Sequence, residues 1–138
     1  MQPQTEDALI DIAPNRIRYF GGPGKMLLPS PATVAALLAR VPARQLITTG
    51  GLRRKLAQQF GVQGCCPVTT QKALQALAHD PHSRVPYWRV VSQNGGLISR
   101  FPGGVKGHAA RLLQEGFRID LTGQAPKVKD LKDHLAHF

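Results

Sequence analysis

Acidic residues are scarce in this chain, and cysteine is nearly absent. Eight Asp and Glu stand against 18 Lys and Arg among 138 residues, a formal net charge of +10. The shortage is regional. Across residues 12–119 the only acids are Asp80 and Glu115, whereas the other six (Glu6, Asp7, Asp11, Asp120, Asp130 and Asp133) lie towards the two ends. A middle so poor in acids is not an evenly mixed, solvating surface; its field attracts polyanions, and nucleic acid heads the list of partners. The two cysteines, Cys65 and Cys66, are neighbours and cannot reach the geometry of a relaxed disulfide, so a disulfide scaffold is excluded. His79, His82, His108, His134 and His137 fit no zinc spacing, and neither a metal nor a cofactor is expected. A reducing compartment follows: the cytoplasm, or the nucleoid in a bacterium. No run approaches the roughly 18 apolar residues of a membrane span, and the first residues lack the basic and apolar regions of a secretion signal.

What is present suits a single domain, with 42% hydrophobic residues over this length. Residues 1–28 are rich in Pro, Gly and polar side chains and read as an arm, lying on the domain or partly loose. Ser30 and Pro31 then supply an N-cap and a first helical residue, and Val34, Leu37, Leu38 and Val41 recur at helical spacing. After Pro42, Ile47-Thr48-Thr49 leads into a second helix with an apolar stripe of Leu52, Leu56 and Phe60 beside Arg53, Arg54 and Lys55; Gly61 ends it. Pro67 opens a third helix with Val68, Leu74 and Leu77 as core candidates and Thr69, Thr70, Gln71 and Lys72 as its polar face. Taken alone, that pair of helices, with a connection longer than the usual three or four residues, is better explained by an ordinary helical hairpin than by helix-turn-helix; the basic second helix and the Thr/Gln/Lys-rich third narrow that gap.

The run Val85-Pro86-Tyr87-Trp88-Arg89-Val90-Val91, the turn Asn94-Gly95-Gly96 and Leu97-Ile98-Ser99 predict strand, tight turn and strand. A hairpin after three helices gives the expected fold class: mainly α with a small β-hairpin, a winged helix-turn-helix. A last core helix spans 106–115 and stops at Gly116. The expected organisation is thus an arm at 1–28, the winged-helix domain at 29–119 and a tail at 120–138, in which Val128, Leu131 and Leu135 space a short helix.

Pro86-Tyr87-Trp88-Arg89-Val90-Val91, Asn94-Gly95-Gly96, Gly103-Gly104 and Leu113-Gln114-Glu115-Gly116 together resemble the DNA-binding domain of O6-alkylguanine-DNA alkyltransferases, in order and spacing, over about residues 30–119. Active members carry Pro-Cys-His-Arg-Val, whose Cys accepts the alkyl group and whose His activates it through a water and a Glu. Here Tyr87 and Trp88 hold the Cys and His positions. A phenol with a pKa near 10 is a poor nucleophile beside a thiolate, and an indole is no base. The likeness is greatest to the alkyltransferase-like proteins, which bind alkylated guanine without dealkylating it and pass the damage to nucleotide excision repair. Their usual Pro-Trp-His-Arg-Val is Pro-Tyr-Trp-Arg-Val here.

The resemblance implies a non-enzymatic, monomeric binder of duplex DNA, alkylated DNA included, that enters the minor groove and flips a nucleotide into a pocket. Flipping costs a few kcal/mol, less for a poorly paired damaged base. Thr48 and Thr49 fall where the family contacts phosphate, and Arg53, Thr69, Thr70, Gln71 and Arg89 complete the expected DNA contacts. Lys72 takes the place of the family's Arg finger, without a guanidinium's planar fork. Tyr87, Trp88, Val90, Ile98, Ser99, Arg100 and Phe101 form the expected lesion pocket, with Tyr87 and Trp88 on opposite faces of a strand. Gln75 replaces a small Gly of the family, and the loop over 80–84 is shortened. Glu115, lacking a His partner, is expected to take a hydrogen-bonding role at the helix end. Two other readings stay open: a winged-helix DNA binder or regulator without lesion preference, and an active transferase using Cys65 or Cys66 at a helix start.

Overall fold

The computed structural model describes residues 6–137, so the first five residues of the expected arm lie outside it. The rest of that segment is folded. Strand β1 (Ala8–Asp11) is followed by a 3-10 turn (Pro14–Arg16), the one-turn helix α1 (Ile17–Phe20) and strand β2 (Lys25–Leu28). β2 pairs antiparallel with β1, Ala8 opposite Leu28 and Asp11 opposite Lys25. Asp7, just before β1, accepts from the Ser30 N–H at 2.7 Å and from the Thr33 hydroxyl at 2.7 Å, which ties the chain start to the first long helix.

That helix, α2 (Pro31–Leu38), begins as its sequence requires: the Ser30 hydroxyl accepts from the Thr33 N–H at 3.3 Å, and Pro31 has no N–H to leave unpaired. The chain continues through β3 (Ile47–Thr48), α3 (Thr49–Phe60), β4 (Gly64–Cys65) and α4 (Pro67–His79). Gly61, at φ 65°, ends α3 in the left-handed conformation that glycine adopts at little cost. β4 adds to β2 in parallel, Met26 opposite Gly64 and Leu27 opposite Cys65, making a three-stranded sheet in the order β1-β2-β4. Beyond α4 come a 3-10 turn (Tyr87–Arg89), β5 (Val90–Val91), α5 (Gly104–Gln114), β6 (Ile119–Asp120), β7 (Lys127–Val128) and the one-turn helix α6 (Leu131–His134).

The principal core joins Val34, Leu37 and Leu38 of α2 to Leu52 and Leu56 of α3, Leu74 of α4 and Val90. Leu46, Val91, Leu112, Phe117 and Val128 form a second cluster. Each leucine fully withdrawn from water contributes on the order of 2 kcal/mol, so these clusters outweigh the two-residue strands as a source of stability. The tail is fastened to the second cluster: the Leu46 N–H donates to the His134 carbonyl at 2.7 Å and the Ala136 N–H to the Leu46 carbonyl at 2.8 Å. Its short helix is present as α6.

The architecture is mainly α with small sheets, a winged helix-turn-helix. Its antiparallel strand pairs are β1 with β2 and β6 with β7, not the pair expected on either side of Asn94–Gly96. The turn itself forms, with the Ser92 N–H donating to the Gly96 carbonyl at 3.0 Å. Its first arm, however, runs parallel to β3, Ile47 opposite Val90 and Thr48 opposite Val91. Val90 and Val91 are both fully covered, and a run buried on both faces seeks a central, parallel neighbour rather than a solvent-facing hairpin partner. Val68, expected in the core, is 53% exposed; it lies in the first turn of α4, outside the stripe that carries Ala73, Leu74 and Ala78 inward.

Candidate nucleic-acid interface

The start of α3 exposes a cation-rich edge. Thr48 is its N-cap, a buried residue whose hydroxyl accepts from the Gly51 N–H at 3.0 Å, so Thr48 caps the helix and Thr49 faces outward in its place. One turn further, Arg53 borders a cavity of about 250 Å³ together with Thr49, Thr70, Gln71, Leu74, Gln75, Ile98 and Phe101. The cavity brings together four of the expected DNA contacts and two of the expected pocket residues. Gln71 and Gln75 stand one helical turn apart on its wall, so the glutamine that replaces a small glycine presents an amide to the cavity. Thr70 is buried; its hydroxyl donates to the Cys66 carbonyl at 2.7 Å and lies 3.2 Å from Cys65 Sγ, which holds the start of α4 in place. Thr69 is half-buried and Lys72 is exposed on the same helix. Neither Arg53 nor Arg54 makes an ion pair among the described residues.

Behind the cavity lies a set of packed rings. Tyr87 is 8% exposed and meets Phe101 edge-on at 4.9 Å between centroids and Trp88 at 5.3 Å. Because residues 87–89 form a 3-10 turn, Tyr87 and Trp88 do not alternate across a strand as expected. Both border one open cleft of about 780 Å³ beside the end of α4, the 80–85 loop, Pro102 and Arg111. Trp88 packs against both core clusters, and the Arg111 guanidinium lies 4.8 Å from its ring centroid. Val90 is wholly buried and borders neither cavity. Ser99 and Arg100 are exposed, and the Arg100 carbonyl is 2.9 Å from His79 Nε2, which links their loop to the end of α4.

Arg89 has its donors committed. Its Nε lies 3.0 and 3.2 Å from the two Glu115 oxygens, and its Nη1 donates to the Val41 carbonyl at 2.9 Å. Glu115 therefore takes the hydrogen-bonding role expected of it, with Arg89 as partner. His108, which the sequence did not mark out, organises the same region. It is fully buried, accepts from the Ile98 N–H at Nδ1 (2.9 Å) and so donates from Nε2 to the Trp88 carbonyl (2.8 Å). Burial lowers its pKa below the ordinary 6.5 against the opposing pull of the Trp88 carbonyl, and the ring is neutral. Its nearest sequence signal is a lone histidine in the apolar stripe of α5.

Both thiols are buried, although Cys65 borders a groove between α1 and α3. Burial pushes Cys65 up to about 11, the Thr70 hydroxyl offsetting this only in part. For Cys66 burial also acts upwards, but the Thr69 hydroxyl and the Thr69 and Val68 N–H groups outweigh it and lower the pKa. Cys66 is nonetheless enclosed with Ile12 and Met26.

No family model and no curated protein matches the chain. Two solved structures do. The crystal structure of S. pombe Atl1 in complex with damaged DNA containing O6-carboxymethylguanine aligns with a TM-score of 0.58 and 23% identity, over 78% of this chain and 94% of that one. The structure of S. pombe ATL in complex with DNA gives 0.59 with the same identity and coverage. At this identity the likeness establishes a common fold.

Proposed function

We propose that this chain binds duplex DNA through the edge formed by α3 and α4, and reads O6-alkylguanine-type lesions on an extruded base without removing the alkyl group. The marked site would then pass to a repair pathway such as nucleotide excision repair. The observation that carries the reading is Tyr87. At the position where an alkyltransferase needs a thiolate, the chain has a phenol packed between Trp88 and Phe101, and among the described residues no base is hydrogen-bonded to it, although His79 and His82 border the same cleft. The neighbouring histidine, His108, has both ring nitrogens engaged by the backbone. The fold shared with S. pombe Atl1, seen with damaged DNA, supports the same reading.

The residues divide the work. Thr49 and Arg53 hold phosphate, the latter with a guanidinium suited to two oxygens at once. Lys72 fills the gap left in the base stack. The extruded purine enters the 250 Å³ cavity, not a pocket lined by Tyr87 and Trp88 as expected; it lies against the Phe101 ring, which packs on Tyr87, and Gln71 and Gln75 offer both donors and acceptors to its edge. The damaged base is the easier one to extrude, which gives selectivity. A cysteine-based transferase is disfavoured by the burial of both thiols, which pushes that of Cys65, the one bordering the groove between α1 and α3, up to about 11.

The test is the affinity of the full chain for a duplex with a single O6-methylguanine against the same duplex unmodified. Tighter binding to the lesion is expected, by about tenfold or more, and Lys72→Ala is expected to shrink that ratio more than it weakens binding overall. Equal affinity would favour a winged-helix binder without lesion preference.

A further inference from the structure

Residues 8–28 lie outside the stretch that suggested an alkyltransferase-like domain, yet they build one wall of the largest recess on the α3 side. This groove, of about 660 Å³, runs between α1 and α3. Tyr19 and Phe20 stand on one side and Arg53 and Arg54 on the other, with Gln63 and Gln93 beside them and no acid anywhere in the lining. Thr49 and Arg53 border both this groove and the smaller cavity against α4, so the two recesses adjoin.

From this geometry we infer that the groove is a second nucleic-acid contact, one that takes the phosphodiester backbone of the same DNA next to the point where α4 enters. The inference rests on the DNA-binding reading above and specifies how far the contact extends. Three observations support it. First, the two arginines that face the groove make no ion pair among the described residues, in contrast to Arg89. Second, Tyr19 is 61% exposed, and an aromatic ring so placed is a surface for a sugar or an unstacked base. Its edge contact with Phe20 at 4.9 Å and the Arg16 guanidinium 5.8 Å from its centroid set its position.

Third, the wall is fastened before any ligand arrives. Gln63 Nε2 donates to the Phe20 carbonyl at 2.6 Å. The Phe20 ring lies so close over Gly64 that a Cβ there would come within 2.3 Å of it. A wall held in place loses little freedom when it meets a strand, which favours binding.

The experiment is a fluorescence-anisotropy titration of the full chain against unmodified and O6-methylguanine duplexes over a range of KCl concentrations. Arg54→Gln and Tyr19→Ala are compared with Arg118→Gln, a charge-matched change on the segment leading to β6. Arg54→Gln and Tyr19→Ala are each expected to weaken binding about fivefold on both duplexes, leaving the lesion ratio unchanged. Arg54→Gln is also expected to lower the salt slope by roughly 0.9, one phosphate contact. Arg118→Gln should do neither. The inference is overturned if the two groove variants match wild type in affinity and slope while wild type binds DNA, or if Arg118→Gln loses as much as they do. Wild type that binds neither duplex would instead remove the DNA-binding reading, and this inference with it.

Discussion

Arg53 and Arg89 are the same residue type, and the sequence offers both as DNA contacts, but the fold uses them in opposite ways. Arg53 borders two recesses and makes no ion pair among the described residues, whereas Arg89 is enclosed with Glu115 and bonded to the Val41 carbonyl. The difference shows that a count of basic residues overstates the number available to phosphate. Of the only two acids in the middle of the chain, one is consumed in fixing the turn that carries Tyr87. What distinguishes the two arginines is not charge but whether an acceptor stands within reach once the core has formed.

This contrast can be broken by mutation. Arg89→Ala should have the largest effect: it leaves the Glu115 carboxylate largely buried without its partner, and a loss of about 3 kcal/mol in urea denaturation is expected. A loss smaller than that of an ordinary surface change would mean the pair is not structural. His108 should come next, through pH. Its folded-state pKa lies below 6.5, so acidification adds a proton to the unfolded chain before the folded one. The stability it contributes is full above about pH 6.5 and declines as the pH falls from there towards the folded pKa, by up to about 1.4 kcal/mol per pH unit. Denaturation midpoints measured across that window should show this slope in wild type and lose it in His108→Gln. Arg53→Ala should be the mildest for the fold, within about 0.5 kcal/mol, yet should reduce the salt slope of DNA binding by roughly 0.9. A normal slope for Arg53→Ala, with a reduced one for folded Arg89→Ala, would reverse the assignment of the two residues.

The helical part of the fold was legible because its signals are local. Ser30 with Pro31, Gly61 and Gly116 mark ends through capping and left-handed backbone, and the spacing of Val34, Leu37 and Leu38 marks a buried face. The strands were not legible, since most are two residues long and their partners lie far away, as with Leu27 opposite Cys65 and Ile47 opposite Val90. The Val85–Val91 run carries the composition of a strand, but Pro86 precedes a 3-10 turn and only Val90 and Val91 enter a ladder. Among the site residues, the resemblance gave Thr49, Arg53, Thr70 and Gln71 as DNA contacts and Ile98 and Phe101 as pocket residues, and it is the tertiary structure that gathers all six at one cavity. The resemblance gave no hint of His108, whose role depends on two backbone groups that only tertiary structure places beside it.

The central claim concerns chemistry that does not occur, and the direct measurement follows the alkyl group. The full chain is incubated with a duplex whose O6-methylguanine carries a labelled methyl, under conditions where the complex forms. The label is expected to remain on the DNA and to be recovered there after the protein is removed. Label found covalently on the protein, at Cys65, Cys66 or Tyr87, would contradict the account.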